Sequence, residues 1–192
     1  MSVPLFDLKR LIKNQKEEFM SAISKCLDHS YFINGPEVQA LERQLGDYTG
    51  SKYVIGVSSG TDALVASLMA SGLSKGDDVL VTSFTFVASA TSILLAGFNP
   101  VFVDTAPNSF HPSLEEIKQA TTPQTKALIY VHLFGEPNEL QEIKRFCDDN
   151  NIILYEDCAQ SFGSRFDDGS HIGTVGETSC YSFFPAKNSS RS

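Results

Sequence analysis

Ile152-Ile153-Leu154-Tyr155-Glu156-Asp157-Cys158-Ala159-Gln160 joins a short β-branched and aromatic run to two consecutive carboxylates. A run this short and this apolar reads as a strand covered on both faces, as in parallel sheets. The same pattern recurs at residues 53–57, 79–82, 101–104, 127–131 and 178–183. Between these runs the apolar spacing takes a helical period, at residues 61–71, 85–96, 113–120 and 139–150. Strands alternating with helices predict an α/β fold, a mixed, mostly parallel sheet flanked by helical crossovers. Residues 11–27 and 37–48 also read as helices, separated by Asn34-Gly35-Pro36, a turn by its chemistry. The expected organisation is a helical segment over 1–50, an α/β body over 51–188 and a polar tail over 189–192.

Composition narrows the functional classes. Hydrophobic residues make up 42% and charged residues 20%, an ordinary globular balance for a chain of 192 residues. With 15 basic and 23 acidic residues the net charge is −8, and no basic block exists to track a phosphate backbone, which argues against nucleic acid as a partner. Cys26, Cys147, Cys158 and Cys180 are far apart and form no CxxC pair, so they read as buried, reduced thiols rather than a zinc or disulfide framework. The histidines, His29, His111, His132 and His171, show no metal-ligand spacing, and no metal is expected. No run approaches the roughly 18 apolar residues that span a bilayer, and the expected compartment is the cytoplasm. No GxSxG elbow marks a hydrolase.

Four segments have the residue types for a ligand site. Ser58-Ser59-Gly60-Thr61-Asp62 joins a run to a helix and offers backbone N–H groups, a helix dipole and hydroxyls to a phosphate; the alternative is a simple helix cap at Ser59 or Thr61. In parallel sheets ligands bind beyond the carboxyl ends of strands, so Asp157 would face a site and could pair with a protonated pyridine nitrogen, unless it only caps a loop. Gln160, three residues on, has donor and acceptor atoms for a phenolic oxygen, and Phe86 in Thr85-Phe86-Val87 could lie against a flat ring or be core. Finally, Lys187 follows Ser182-Phe183-Phe184-Pro185-Ala186. A lysine in an apolar stretch is a nucleophile toward carbonyls when desolvated, the alternative being a solvated loop residue, and Ser182 could bind a phosphate oxygen. Lysine plus strand-end carboxylate is the minimum equipment for holding an aldehyde cofactor as a Schiff base, which points to pyridoxal phosphate.

Taken together and in order, these segments resemble the DegT/StrS-type pyridoxal-phosphate sugar aminotransferases, from about Pro4 to Asn188. The resemblance is carried by Asn34-Gly35-Pro36-Glu37-Val38, Ser59-Gly60-Thr61-Asp62-Ala63-Leu64, Gly76-Asp77-Asp78-Val79, Thr85-Phe86-Val87-Ala88, Pro100-Val101-Phe102-Val103-Asp104, Thr125-Lys126-Ala127, Val131-His132-Leu133-Phe134-Gly135, Glu156-Asp157-Cys158-Ala159-Gln160 and Ser182-Phe183-Phe184-Pro185-Ala186-Lys187-Asn188. It implies that Lys187 is the Schiff-base lysine and Asp157 the partner of the pyridine nitrogen. It further implies that Gln160 meets the ring hydroxyl, that Phe86 stacks on the ring, and that Gly60, Thr61 and Ser182 bind the phosphate.

The implied reaction is transfer of an amino group from an amino acid, L-glutamate by resemblance, to a nucleotide-linked 3-keto or 4-keto sugar. Cys158 stands where the family usually has alanine. The family continues past the Lys-Asn pair into the rest of a large domain and a smaller C-terminal domain, and it builds its site at a homodimer interface. Two other readings are carried forward: another reaction of the same fold, such as a dehydratase or desulfurase, and a catalytically silent or partner-binding chain. A lysine at 187 argues against the related sugar dehydratases, which have histidine there.

Overall fold

The structure is a computed structural model that describes residues 8–136, 140–185 and 187. The chain divides between Gly56 and Val57 into two units. In the first, helix α1 (Leu8–His29) and helix α2 (Pro36–Thr49) flank the expected turn. Asn34 has a left-handed φ of 50°, Gly35 is the N-cap of α2, and Pro36 opens the helix where its missing N–H costs nothing. Gly50 closes α2 in the left-handed conformation, its N–H bonding to the Gly46 carbonyl.

The second unit holds the sheet. Its elements are α3 (Gly60–Met69), β1 (Asp78–Thr82), α4 (Ala88–Ala96), β2 (Asn99–Val103), α5 (Leu114–Ala120), β3 (Thr125–Val131), a 3-10 turn (Leu133–Gly135), α6 (Leu140–Asp149), β4 (Ile153–Asp157) and β5 (Thr178–Cys180). The strand order is β2-β1-β3-β4-β5 and every pairing is parallel. Every carboxyl end therefore lies along one edge of the sheet, where an α/β ligand site is expected.

Side-chain alternation divides the core. One face carries Leu80, Leu128, Tyr130 and Leu154 against Ile117 of α5 and Ile143 and Cys147 of α6. The other carries Val79, Val81, Ile129, Val131 and Tyr155 against Leu64 and Leu68 of α3 and Ile93 of α4. Burial of both faces explains why these strands read as continuous apolar runs rather than as alternating ones.

Three expectations change. Residues 53–57 form no strand: Tyr53, Ile55 and Val57 are exposed, and the Gly56 N–H donates to Glu42 Oε1 at 2.7 Å. A β-branched run becomes a strand only where it finds an edge to pair with, and among the described residues this one finds none. The run 178–183 pairs only over Thr178–Cys180, because β4, its one neighbour among the described residues, ends at Asp157 opposite Cys180. Helix α4 starts at Ala88 rather than at residue 85, leaving Thr85 and Phe86 in the turn ahead of it. The predicted polar tail over 189–192, and Glu139 at the start of the helix predicted over 139–150, lie outside the described residues.

Candidate functional site

Consecutive residues on a strand point to opposite faces, so the paired acids that end β4 have different surroundings. Glu156 is fully buried. Its Oε2 accepts from His132 Nε2 at 2.8 Å and from the Gly173 N–H at 3.1 Å; its Oε1 accepts from the N–H groups of Val175 at 2.8 Å and Gly176 at 2.6 Å. Burial pushes this carboxyl up, but the His132 hydrogen bond and charge, with the Gly176 and Val175 N–H groups, outweigh it and hold the acid below its ordinary range. Glu156 is thus a saturated anion tying β3, β4 and the loop before β5 together. Gly173, at φ 95°, fits there because a Cβ would lie 2.1 Å from Tyr181 Oη.

Asp157 is also buried, at 6% exposure, but has fewer partners. Its Oδ2 accepts from the Ser89 hydroxyl at 2.8 Å and its Oδ1 from the Ala159 N–H at 3.1 Å. Each carboxylate oxygen has two acceptor sites, so among the described residues these two bonds leave half of its capacity available. Burial dominates here and raises the carboxyl above its ordinary value, while the Ser89 and Ala159 donors and the charges of Lys187 and His132 pull it down.

The remaining predicted residues gather around this carboxyl end. Lys187, half-buried, holds its Nζ 5.8 Å from the centroid of the Phe86 ring. Phe86 is 67% exposed, so its ring is available to a ligand rather than part of the core. Gly60 begins α3 and approaches Ser182 so closely that a Cβ on it would stand 3.0 Å from Ser182 Cβ. The first turn of a helix leaves its N–H groups without intrahelical partners, so Gly60, Thr61 and the Ser182 hydroxyl suit an anion. Gln160 occupies the turn after β4 and is half-buried.

The hydroxyls of Ser58 and Ser59 are committed to Asp62 Oδ2 at 2.5 and 2.8 Å. Ser59 also caps α3 by accepting from the Asp62 N–H. The helix cap and the anion cradle are therefore both present, on neighbouring atoms. Cys147, Cys158 and Cys180 are buried thiols as expected, whereas Cys26 is only partly buried.

Among the described residues, two groups bring cysteine, histidine and glutamate within 4.8 Å: Cys26, His29 and Glu37, and His132, Glu156 and Cys158. In the first, His29 Nδ1 accepts from the Tyr31 N–H, so Nε2 carries the proton and points it at Glu37. In the second, the Glu156 oxygens are already saturated. Sequence reasoning assigned no role to Ser89, Thr85, His132 or Glu156. For Ser89 and Thr85 the only signal was an i, i+4 pair of hydroxyls flanking Phe86, spaced to meet on one side of a turn.

The model of the DegT/DnrJ/EryC1/StrS aminotransferase family matches residues 13–190. A UDP-N-acetyl-3-dehydro-alpha-D-glucosamine 3-aminotransferase of Acidithiobacillus ferrooxidans is 37% identical over 97% of this chain and 50% of its own length. Among solved structures, S. venezuelae DesV in complex with a ketimine intermediate superposes with a TM-score of 0.91 at 33% identity, over 96% of this chain and 50% of that one. NtdA of Bacillus subtilis with bound cofactor PMP gives 0.89 at 32% identity, over 97% and 42%. The chain spans about half the length of the curated relatives it matches. With the family's model matched over 178 of its 192 residues (13–190), this chain belongs to the DegT/DnrJ/EryC1/StrS aminotransferase family.

Proposed function

We propose that this chain supplies the cofactor floor of an enzyme that uses pyridoxal phosphate to move an amino group from an amino acid, L-glutamate as the expected donor, to a nucleotide-linked keto sugar. One observation carries this reading: a buried carboxylate with unused acceptor capacity, an exposed aromatic ring and a lysine amine converge at the carboxyl end of a parallel sheet. The residues present fit the group. The spare lone pairs of Asp157 suit a protonated ring nitrogen, Phe86 suits a ring face, and the close approach of Gly60 to Ser182 suits a phosphate. Relatives named as sugar aminotransferases, and a solved neighbour with PMP, support the same assignment.

When bound, pyridoxal phosphate provides an electron sink and carries the amino group between donor and acceptor. The chain's residues do the rest. Asp157 holds the ring nitrogen in its protonated state, since an anion within about 4 to 6 Å favours the cation. Phe86 fixes the plane of the ring, Gln160 accepts or donates at the phenolic oxygen, and Gly60, Thr61 and Ser182 anchor the phosphate. Lys187 Nζ would be the amine that holds the aldehyde group, and as a free amine it would take up and return a proton at that nitrogen. A homodimer would complete the sugar site.

The test is spectroscopic. Protein loaded with pyridoxal phosphate is mixed with L-glutamate alone, and conversion of the cofactor from its aldehyde to its amine form is followed. Conversion supports transamination; a spectrum unchanged by glutamate and other amino donors favours the dehydratase, desulfurase or silent readings.

A further inference from the structure

Thr85, Phe86 and Ser89 share a single turn at the start of α4, and that turn does more than present an aromatic ring. Ser89 is fully buried, and its hydroxyl bonds Asp157 Oδ2 at 2.8 Å. The Thr85 and Ser89 hydroxyl oxygens lie 3.0 Å apart. A serine hydroxyl has one proton, and toward an ionised Asp157 it must be donated to the carboxylate. The Thr85 hydroxyl is then the donor to Ser89, which gives a directed chain, Thr85 O–H to Ser89 Oγ and Ser89 O–H to Asp157 Oδ2. The backbone adds a second tie, because the Ser89 N–H donates to the Phe86 carbonyl at 3.1 Å. One turn therefore fixes both the ring-stacking side chain and the carboxylate.

We propose that Ser89, backed by Thr85, is a positioning residue that orients the Asp157 carboxylate and holds it anionic toward the pyridine nitrogen. Only one lone pair of Oδ2 is used by Ser89 and one of Oδ1 by the Ala159 N–H, so the carboxylate is fixed in orientation while keeping acceptor sites for a ligand. The other ionisable groups that face it are Lys187 after β5, His132 after β3, and the thiols of Cys158 and Cys180. Neither thiol donates charge support, and Lys187 is the group that the proposed function engages with the cofactor. Ser89 and Ala159 are the neutral donors left to hold the anion. The role toward the pyridine nitrogen rests on the proposed function; the role toward Asp157 does not.

The experiment follows the Asp157 carboxyl by 13C NMR in the cofactor-free chain, with Asp157→Asn identifying its signal. Ser89→Ala is expected to raise the titration midpoint by about one unit, the size of a lost hydrogen bond to a charged group. Thr85→Val is expected to raise it by less, and Ser89→Thr to restore the wild-type value. A structural role alone would lower the urea midpoint and leave this titration unmoved, so wild-type titration in Ser89→Ala overturns the proposal. Should Ser89→Ala fail to fold, the shift in Thr85→Val decides in the same way.

In a second arm the chain binds pyridoxal phosphate labelled with 15N in the ring. Ser89→Ala is expected to bind roughly tenfold more weakly and to move the nitrogen signal toward its position in Asp157→Asn; an unmoved signal overturns the claim on the ring nitrogen. Wild-type chain that takes up no cofactor would sink the proposed function, and the carboxyl titration would still decide the role of Ser89.

Discussion

The two faces of β4 end in acids one residue apart, and they divide structure from chemistry. Glu156 lies on the face packed by α5 and α6 and receives every donor it can use, from His132, Gly173, Val175 and Gly176. Asp157, on the face packed by α3 and α4, receives two among the described residues. The acid with its acceptors filled is held below its ordinary range; the one with acceptors to spare is raised by burial. Equal burial does not make equal sites. A saturated buried carboxylate is a staple, whereas an unsaturated one retains the capacity to bind.

The largest effect should come from breaking the staple. Glu156→Ala removes the acceptor for one imidazole and three backbone N–H groups, and is expected to cost about 3–5 kcal/mol in urea denaturation. Asp157→Asn, one residue along, is expected to leave stability within about 1 kcal/mol of wild type or to raise it, since it removes a desolvated charge. If the two variants lose stability equally, the distinction between the faces fails.

Glycine tests the same contrast sterically. A Cβ on Gly173 would clash with Tyr181 Oη and Cys158 Sγ at a positive φ, and Gly173→Ala is expected to cost about 2–3 kcal/mol. On the other face Gly60→Ala meets Ser182 Cβ at 3.0 Å. It is expected to cost about 1 kcal/mol or less, while weakening binding of inorganic phosphate and pyridoxal phosphate, measured by titration.

The acids should also respond to pH with opposite sign. The Glu156 pKa is lowered from an ordinary 4.5, so its contribution is complete above that value and is lost as pH falls through the folded pKa. The Asp157 pKa is raised from 3.8, so over the window from 3.8 up to its folded value the native state binds the extra proton and stability falls as pH rises. Urea midpoints against pH should therefore lose their acid-side decline in Glu156→Gln and gain stability above that window in Asp157→Asn. The smallest stability effect is Phe86→Ala. With the ring 67% exposed, stability should stay within about 0.5 kcal/mol, and pyridoxal phosphate binding should weaken by about three- to tenfold.

Much of this was readable along the chain because it is local. Short β-branched runs marked all five strands, and the rule that ligands sit past parallel strand ends picked out Asp157. What escaped was set by distant partners. Residues 53–57 carry the same composition as true strands and differ only in having no edge to join among the described residues. Ser89 sits in Ala88-Ser89-Ala90-Thr91-Ser92, a run of small residues that says nothing of the carboxylate 68 positions later. Of the donors that saturate Glu156, three come from a loop 17 to 20 residues downstream and the fourth, His132, from 24 residues upstream, so the sequence presents two equivalent acids. Their division into staple and site is created only by packing.

On the proposed function the open acid, not the saturated one, faces a lysine that would hold an aldehyde cofactor. Incubation with pyridoxal phosphate, reduction with borohydride and mass mapping of the peptides tests it most directly. One reduced adduct is expected, on Lys187, persisting in Phe86→Ala and absent from Lys187→Ala; an unmodified Lys187, or label spread over surface lysines, would contradict that role.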